Sequence, residues 1–154
     1  MPRWRHAILF VVLFLVGCAS GPTAAPVEDA DAKTFVIPDD KSAIYVYRTK
    51  FDLLFTEMVQ VEIDGGEKLA VIGPGEYVWF LVEPGDHEVL ARGQQGFLTP
   101  VPVAVAVLAE AGKKQYVQLA LNPGWGNDKV DLDLVPYNQG RAAIANSTLV
   151  QWVP

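Results

Sequence analysis

The sequence predicts an all-β fold, an antiparallel β-sandwich of about seven to eight strands. Short runs of β-branched and aromatic residues recur at intervals of roughly 8 to 15 residues, and Gly, Pro and Asp punctuate them. Beyond the N-terminus no segment carries an apolar period of helical length. The chain has 154 residues, of which 51% are hydrophobic and 19% charged, enough for one core and too few for two ordinary domains.

Residues 1–17 read as a cleaved secretory signal. Arg3 and Arg5 supply a basic start, and Ala7 to Val16 is an unbroken apolar run. That run is shorter than the roughly 20 residues a spanning helix needs. Leu15-Val16-Gly17-Cys18 resembles the bacterial lipobox, which implies a diacylglyceryl thioether on Cys18, cleavage before it and acylation of its new amino group, with palmitate among the chains. At about 0.8 kcal/mol per buried methylene, two or three such chains hold a protein on a membrane for the life of a cell. Ala19 follows in place of the Asp that marks inner-membrane retention in the sorting pattern this resembles. In a Gram-negative host the expectation is therefore the outer membrane, facing the periplasm.

Residues 18–40 read as the lipidated Cys and a flexible linker. From Ala19 to Asp40 the stretch is rich in Ala, Pro and Asp and shows no apolar period. As a coil it reaches roughly 26 Å. Within it, Thr34 to Ile37 is a candidate docking strand.

Residues 41–154 form the expected domain. Ser42 to Arg48 opens it. In Val59 to Asp64, Val59, Val61 and Ile63 share one face, and Asp64-Gly65-Gly66 accepts the positive φ of a hairpin turn that Lys68 to Ile72 completes. Tyr77 to Val82 is apolar on both faces and is expected to be covered on both. Pro84-Gly85-Asp86 turns, and His87 to Arg92 is expected to pair back across that turn. Val101, Val103, Val105 and Val107 alternate with small residues. Gln115 to Leu121 follows Gly112-Lys113-Lys114, and Lys129 to Val135 places Val130, Leu132 and Leu134 inward. Gln139 to Asn146 suits a helical turn or two, and Leu149 to Val153 a terminal strand.

Composition excludes several functions. Twelve basic residues face 18 acidic ones, a net charge of -6, so the chain lacks the basic footprint of a nucleic-acid binder. Loss of Arg3 and Arg5 leaves 10 basic residues and a net charge of -8, which repels anionic headgroups. One Cys and two His exclude a disulfide framework and a Cys/His zinc site. His87 is the one histidine beyond the signal, and its strand neighbours Asp86 and Glu88 point to the opposite face from it. Ser42 and Ser147 are the serines of the domain. Asp128, Asp131 and Asp133 do not follow the spacing of an EF-hand loop and read as a solvated face. No catalytic residue, metal site or cofactor is expected, and the chain is read as a non-enzyme.

Two apolar loops are the candidate partner-binding elements. Phe51, Leu54 and Phe55 stand where a polar loop is usual, and Trp125 sits in Asn122-Pro123-Gly124-Trp125-Gly126. An alternative is binding of an envelope glycan or small ligand by Trp125, Tyr137 and Trp152, which requires the three rings to converge.

The runs Ala43 to Arg48, Val61 to Gly65, Gly75 to Tyr77, Val82 to Val89 and Ala111 to Val117, in this order, resemble a family of bacterial lipoproteins that carry a domain of unknown function, related in outline to PEGA-type β-sandwich modules. The resemblance implies an extracytoplasmic β-sandwich on a lipid anchor, with no reaction or catalytic residue to carry over. The expected role is a non-enzymatic interaction or assembly module of the cell envelope with a protein partner.

Overall fold

A computed structural model describes residues 22–50, 57–66, 68–93, 101–122 and 129–152. Its strands are β1 (Ser42–Arg48), β2 (Val59–Ile63), β3 (Lys68–Ile72), β4 (Glu76–Val82), β5 (Gly85–Gly93), β6 (Val103–Ala109), β7 (Lys114–Asn122), β8 (Lys129–Val135) and β9 (Thr148–Leu149). Helix α1 spans Pro26–Ala32 and α2 spans Tyr137–Ala145. The fold is an all-β sandwich. One sheet runs β8-β7-β1-β4-β9 and the other β3-β2-β5-β6.

Alternation does what the sequence predicts in β2, where Val59, Val61 and Ile63 are buried and pair with β3 across a tight hairpin. Asp64, Gly65 and Gly66 take φ of 50°, 85° and 100°, and the Gly66 N–H closes the turn on the Ile63 carbonyl at 3.2 Å. Three consecutive left-handed residues explain the Asp-Gly-Gly run. Val107 is buried in β6, while Ala104, Ala106 and Leu108 on its other face are exposed.

Pairing differs from expectation at β5. It does not return along β4 but lies in the other sheet, antiparallel to β2 and β6. The Pro84-Gly85 corner carries the chain between the layers, where β5 pairs with β2 on one side and β6 on the other. Two pairs are parallel, β1 with β7 and β4 with β9.

The five-stranded sheet is covered on both faces. Its inner face, Ile44, Val46, Val78, Phe80, Val117 and Leu119, meets the four-stranded sheet in an aliphatic core. Its outer face is aromatic: Tyr45, Tyr47, Tyr77 and Tyr116 are each at most 1% exposed beneath α1, α2 and the turn after α1. Hence all seven residues of β1 are buried. Gly140 lets α2 approach, since a Cβ there would stand 2.2 Å from Cγ of Tyr116. That closeness explains a glycine inside a helix, where it costs about 1 kcal/mol relative to Ala.

Residues 22–40 are therefore part of the domain, in place of the linker expected there. Pro26 opens α1, and the Glu28 carboxylate accepts the Ala25 N–H at 3.0 Å. Thr34 to Ile37 forms no strand. Phe35 turns the chain at φ 57° and drives its ring against Tyr45 and Tyr116, at 5.4 and 6.5 Å between centroids. At the other end of the chain, Leu134 is 49% exposed although Val130 and Leu132 point inward as expected. The terminal strand is only two residues long.

Candidate functional site

Both ends of the described chain converge on one edge of the five-stranded sheet. Thr23 bridges Val150 antiparallel, with the Ala24 N–H donating to the Leu149 carbonyl at 3.0 Å and the Gln151 N–H to the Pro22 carbonyl at 2.8 Å. Asp29 fastens α1 to that edge. Its Oδ1 accepts the Tyr77 hydroxyl and the Leu149 N–H, both at 3.0 Å, and its Oδ2 accepts Lys33 Nζ at 2.6 Å. Burial works against the Asp29 charge, but the bonds from Lys33, Tyr77 and Leu149 outweigh it and hold the carboxyl below its ordinary range. Nothing in the sequence signals this role, because Leu149 lies 120 residues away.

Beside this junction lies a cleft of about 660 Å³. It wraps around β4, from Tyr45 and Trp79 on the outer face to Val78 and Trp152 on the inner face. Trp79 stacks on Tyr45 at 5.9 Å and 16°, and Trp152 meets the buried Phe80 edge-on at 4.4 Å. Glu28 and Asp31 are the charged residues of its lining, so the cleft is acidic. Glu28 is engaged by Ala25 and by Gln151, whereas the Asp31 carboxylate is exposed and takes no hydrogen bond or ion pair among the described residues.

Among the described residues β9 pairs with β4 only at Glu76 and Tyr77. The Thr148 N–H donates to the Gly75 carbonyl and the Val150 N–H to the Tyr77 carbonyl, both at 2.9 Å, which fixes the odd-numbered residues of β4 as the outward ones. Val78 and Phe80 face β1 instead, opposite Val46 and Ile44. By the same alternation Trp79 and Leu81 point their N–H and C=O outward. Past Val150 the chain leaves the ladder, and neither residue has a backbone partner there among the described residues.

The other expected site residues are dispersed. Cys18, Phe51, Leu54, Phe55, Trp125 and Asp128 lie outside the described residues. Tyr137 packs edge-on against Tyr116 of the outer face, at 5.8 Å, while Trp152 packs on the inner face. These two rings are on opposite sides of the five-stranded sheet, so the expected cleft shared by Trp125, Tyr137 and Trp152 does not form. Tyr137 is the first residue of α2, past the end of β8, so its ring is placed by the helix that covers the outer face. The Asp131 carboxylate is taken by the Asn122 amide. Among the described residues no three Asp, Glu, His or Cys side chains are grouped as a metal site would need.

His87 has a carboxylate partner that the sequence reading missed. Asp64, the first residue of the β2 to β3 turn, places Oδ2 2.6 Å from Nδ1, and Nε2 stands 2.8 Å from the Glu83 carbonyl. Burial disfavours the charged ring, but Asp64, the Glu83 carbonyl and the nearby Asp86 outweigh it and raise the His87 pKa above its ordinary value. Both nitrogens are thus occupied by acceptors, which suits a doubly donating imidazolium and leaves no lone pair to take a proton from a substrate. The serine hydroxyls also donate elsewhere, Ser42 to the Lys113 carbonyl and Ser147 to the Ala143 carbonyl, each at 2.9 Å.

No protein-family model matches the chain, and no curated protein matches it. Among solved structures, an NMR structure of a protein from Eubacterium rectale aligns with 64% of this chain and 93% of its own, at 12% identity and a TM-score of 0.38.

Proposed function

We propose that the chain is a lipid-anchored envelope protein, held by Cys18 at the periplasmic side of the outer membrane, whose β-sandwich acts as a non-enzymatic interaction module. The observation that carries the reading is the placement of the cleft. It is built from both ends of the described chain, around β4, which among the described residues pairs with β9 only at Glu76 and Tyr77.

The length of chain between Cys18 and Pro22 supports a specific arrangement. Four residues reach at most about 14 Å, roughly half the span of the coil expected from composition. An anchor at Cys18 then keeps Ala24 and the cleft beside it close to the lipid surface, and the four-stranded sheet farther from it. The net charge of -8 after removal of the signal keeps the domain in water. A partner would be met at the membrane surface.

Metabolic labelling with an alkyne palmitate, followed by membrane fractionation and cross-linking, tests this reading. The wild-type chain is expected to carry the label and pellet with membranes, and Cys18→Ser to lose both properties. Asp31→Lys is expected to stay in the membrane and lose its cross-linked partner. Equal labelling of Cys18→Ser overturns the anchor, and equal cross-linking of Asp31→Lys overturns the surface.

A further inference from the structure

We infer that the outer-face half of the cleft binds an uncharged pyranose ring of a glycan, stacked on Trp79 and hydrogen-bonded to Asp31. The inference rests on the reading of the chain as an interaction module and names the chemical class that its cleft receives. Neither Trp152 nor the backbone edge of β4 takes part.

Three features converge on that ligand. First, the outer face carries a row of nearly parallel rings on neighbouring strands. Tyr116, Tyr45 and Trp79 are partners across β7, β1 and β4, with centroids 5.4 and 5.9 Å apart and planes inclined by 18° and 16°. The row ends at Trp79, which is half-buried and lines the cleft. Tyr45 backs one face of that indole and is itself fixed by its hydroxyl on the Ala32 carbonyl at 3.2 Å, so the platform is rigid before a ligand arrives. The face of an indole is electron-rich, and the C–H bonds on the flat side of a pyranose carry the complementary partial positive charge. Second, the carboxylates at this end have acceptor oxygens to spare. Both Asp31 carboxylate oxygens are without a hydrogen bond among the described residues, and Glu28 uses Oε2 alone there, for the Ala25 N–H and the Gln151 amide. A ring with O–H donors around a flat C–H face satisfies the indole and the carboxylates together. Third, size and charge narrow the class. A cleft of about 660 Å³ falls within the roughly 300–1,000 Å³ of small-ligand sites, which suits a short oligosaccharide. Glu28 and Asp31 repel a uronic acid or a phosphorylated sugar. A compact organic cation is held best inside a cage of several ring faces, whereas the rings of this half are stacked on one another in a single row.

The test is a titration of the isotope-labelled mature chain in detergent, followed by heteronuclear NMR of its indole and backbone N–H signals. The probes are the neutral tetrasaccharides of glucose, galactose and N-acetylglucosamine, each taken to about 10 mM, with a galacturonate oligomer and tetramethylammonium as counterparts. Saturable shifts of the Trp79 indole N–H and of the amides of 31–36 are expected with at least one neutral probe, and none with galacturonate. Trp79→Ala should abolish the binding, and Asp31→Ala should weaken it by about threefold to tenfold, the equivalent of one hydrogen bond to a charged acceptor. Asp31 is exposed on its helix, so Asp31→Ala decides the question if Trp79→Ala fails to fold. The site is overturned if none of the neutral probes shifts these signals, if galacturonate shifts them equally, or if the shifts spare Trp79. Binding of a neutral probe at wild-type strength by Asp31→Ala contradicts it as well, and shifts with tetramethylammonium in place of the sugars would reassign the cleft to a cation. Repeating the titration on Cys18→Ser separates the two readings: retained binding there, with lost acylation, leaves the sugar site intact whatever becomes of the anchor, and an acylated chain that binds no neutral probe leaves the anchor standing without the site.

Discussion

The two faces of the five-stranded sheet are made by the same strands and covered by different means. Inside, Ile44, Val46, Val78 and Phe80 meet a second sheet, and the contact is held by many strands at once. Outside, Tyr45, Tyr77 and Tyr116 lie under two short helices and a turn, pinned at a few points: Asp29 to Tyr77 and Leu149, Phe35 among the rings, Gly140 over Tyr116. The Tyr45 hydroxyl reaches the Ala32 carbonyl at 3.2 Å, whereas the buried Tyr116 hydroxyl has no partner among the described residues, and burial pushes its pKa up to about 12. The comparison teaches that the two sides of one layer are held differently, the inner by a whole sheet and the outer by a few contacts. A cover held at few points can open at its margin, and the cleft lies at that margin.

The comparison breaks most severely from inside. Phe80→Ala removes a fully buried ring together with its edge contact to Trp152, and a loss of about 3–5 kcal/mol in chemical denaturation is expected, with the whole domain unfolding in one transition. From outside, Gly140→Ala forces α2 off Tyr116 and should cost about 1–3 kcal/mol, read in the same experiment. Asp29→Ala should cost a similar or smaller amount, about 1–3 kcal/mol, because it leaves the Tyr77 hydroxyl and the Leu149 N–H without their acceptor. Its signature is local. Amide exchange should quicken in 23–36 and 148–151 while β1 and β2 keep their protection.

The smallest effect is a pH dependence at His87 and Asp64, beside Phe80 and Leu81 of β4. The folded His87 titrates above its ordinary value, so its contribution is complete below the unfolded pKa near 6.5 and fades as pH rises through the higher folded pKa. Burial opposes the Asp64 charge, yet the Glu88 N–H and His87 lower its pKa, so its contribution is present above the unfolded value of 3.8 and is lost as pH falls through the lower folded one. The clip between the two turns is therefore strongest between about pH 4 and 6.5. The melting temperature should fall modestly from pH 6 to pH 9 in the wild type, and His87→Gln should flatten that slope.

Much of the sandwich is legible in the chain because strand alternation is a local signal. Val59, Val61 and Ile63 announce their face, and the run Tyr77 to Val82 announces two apolar faces, of which Tyr77, Val78 and Phe80 are buried while Leu81 is exposed. Sheet membership is not local: a Pro-Gly-Asp turn serves a hairpin and a corner between layers equally, and what decides for β5 is its fit between β2 and β6. Residues 22–40 hide for a different reason. Their polar composition is that of a coil, and only Ala32 and Phe35 are buried to hold them down. The cleft was the least legible feature, since it depends on pairing between Thr23 and Val150 and on a carboxylate at Asp29 that meets Leu149 across almost the whole chain. Trp152 stands out in the sequence, but its neighbours are Phe80, at 4.4 Å between ring centroids, and Lys68, whose Nζ lies 5.9 Å over its ring, and neither is near it in the chain.

The central claim is that, among the described residues, β9 pairs with β4 only at Glu76 and Tyr77, and residue-resolved amide exchange in the unbound chain tests it most directly. Trp79 and Leu81 should exchange orders of magnitude faster than Val78 and Phe80, their neighbours in the same strand. Equal slow exchange at all four would mean that the edge is already filled, and would contradict the account.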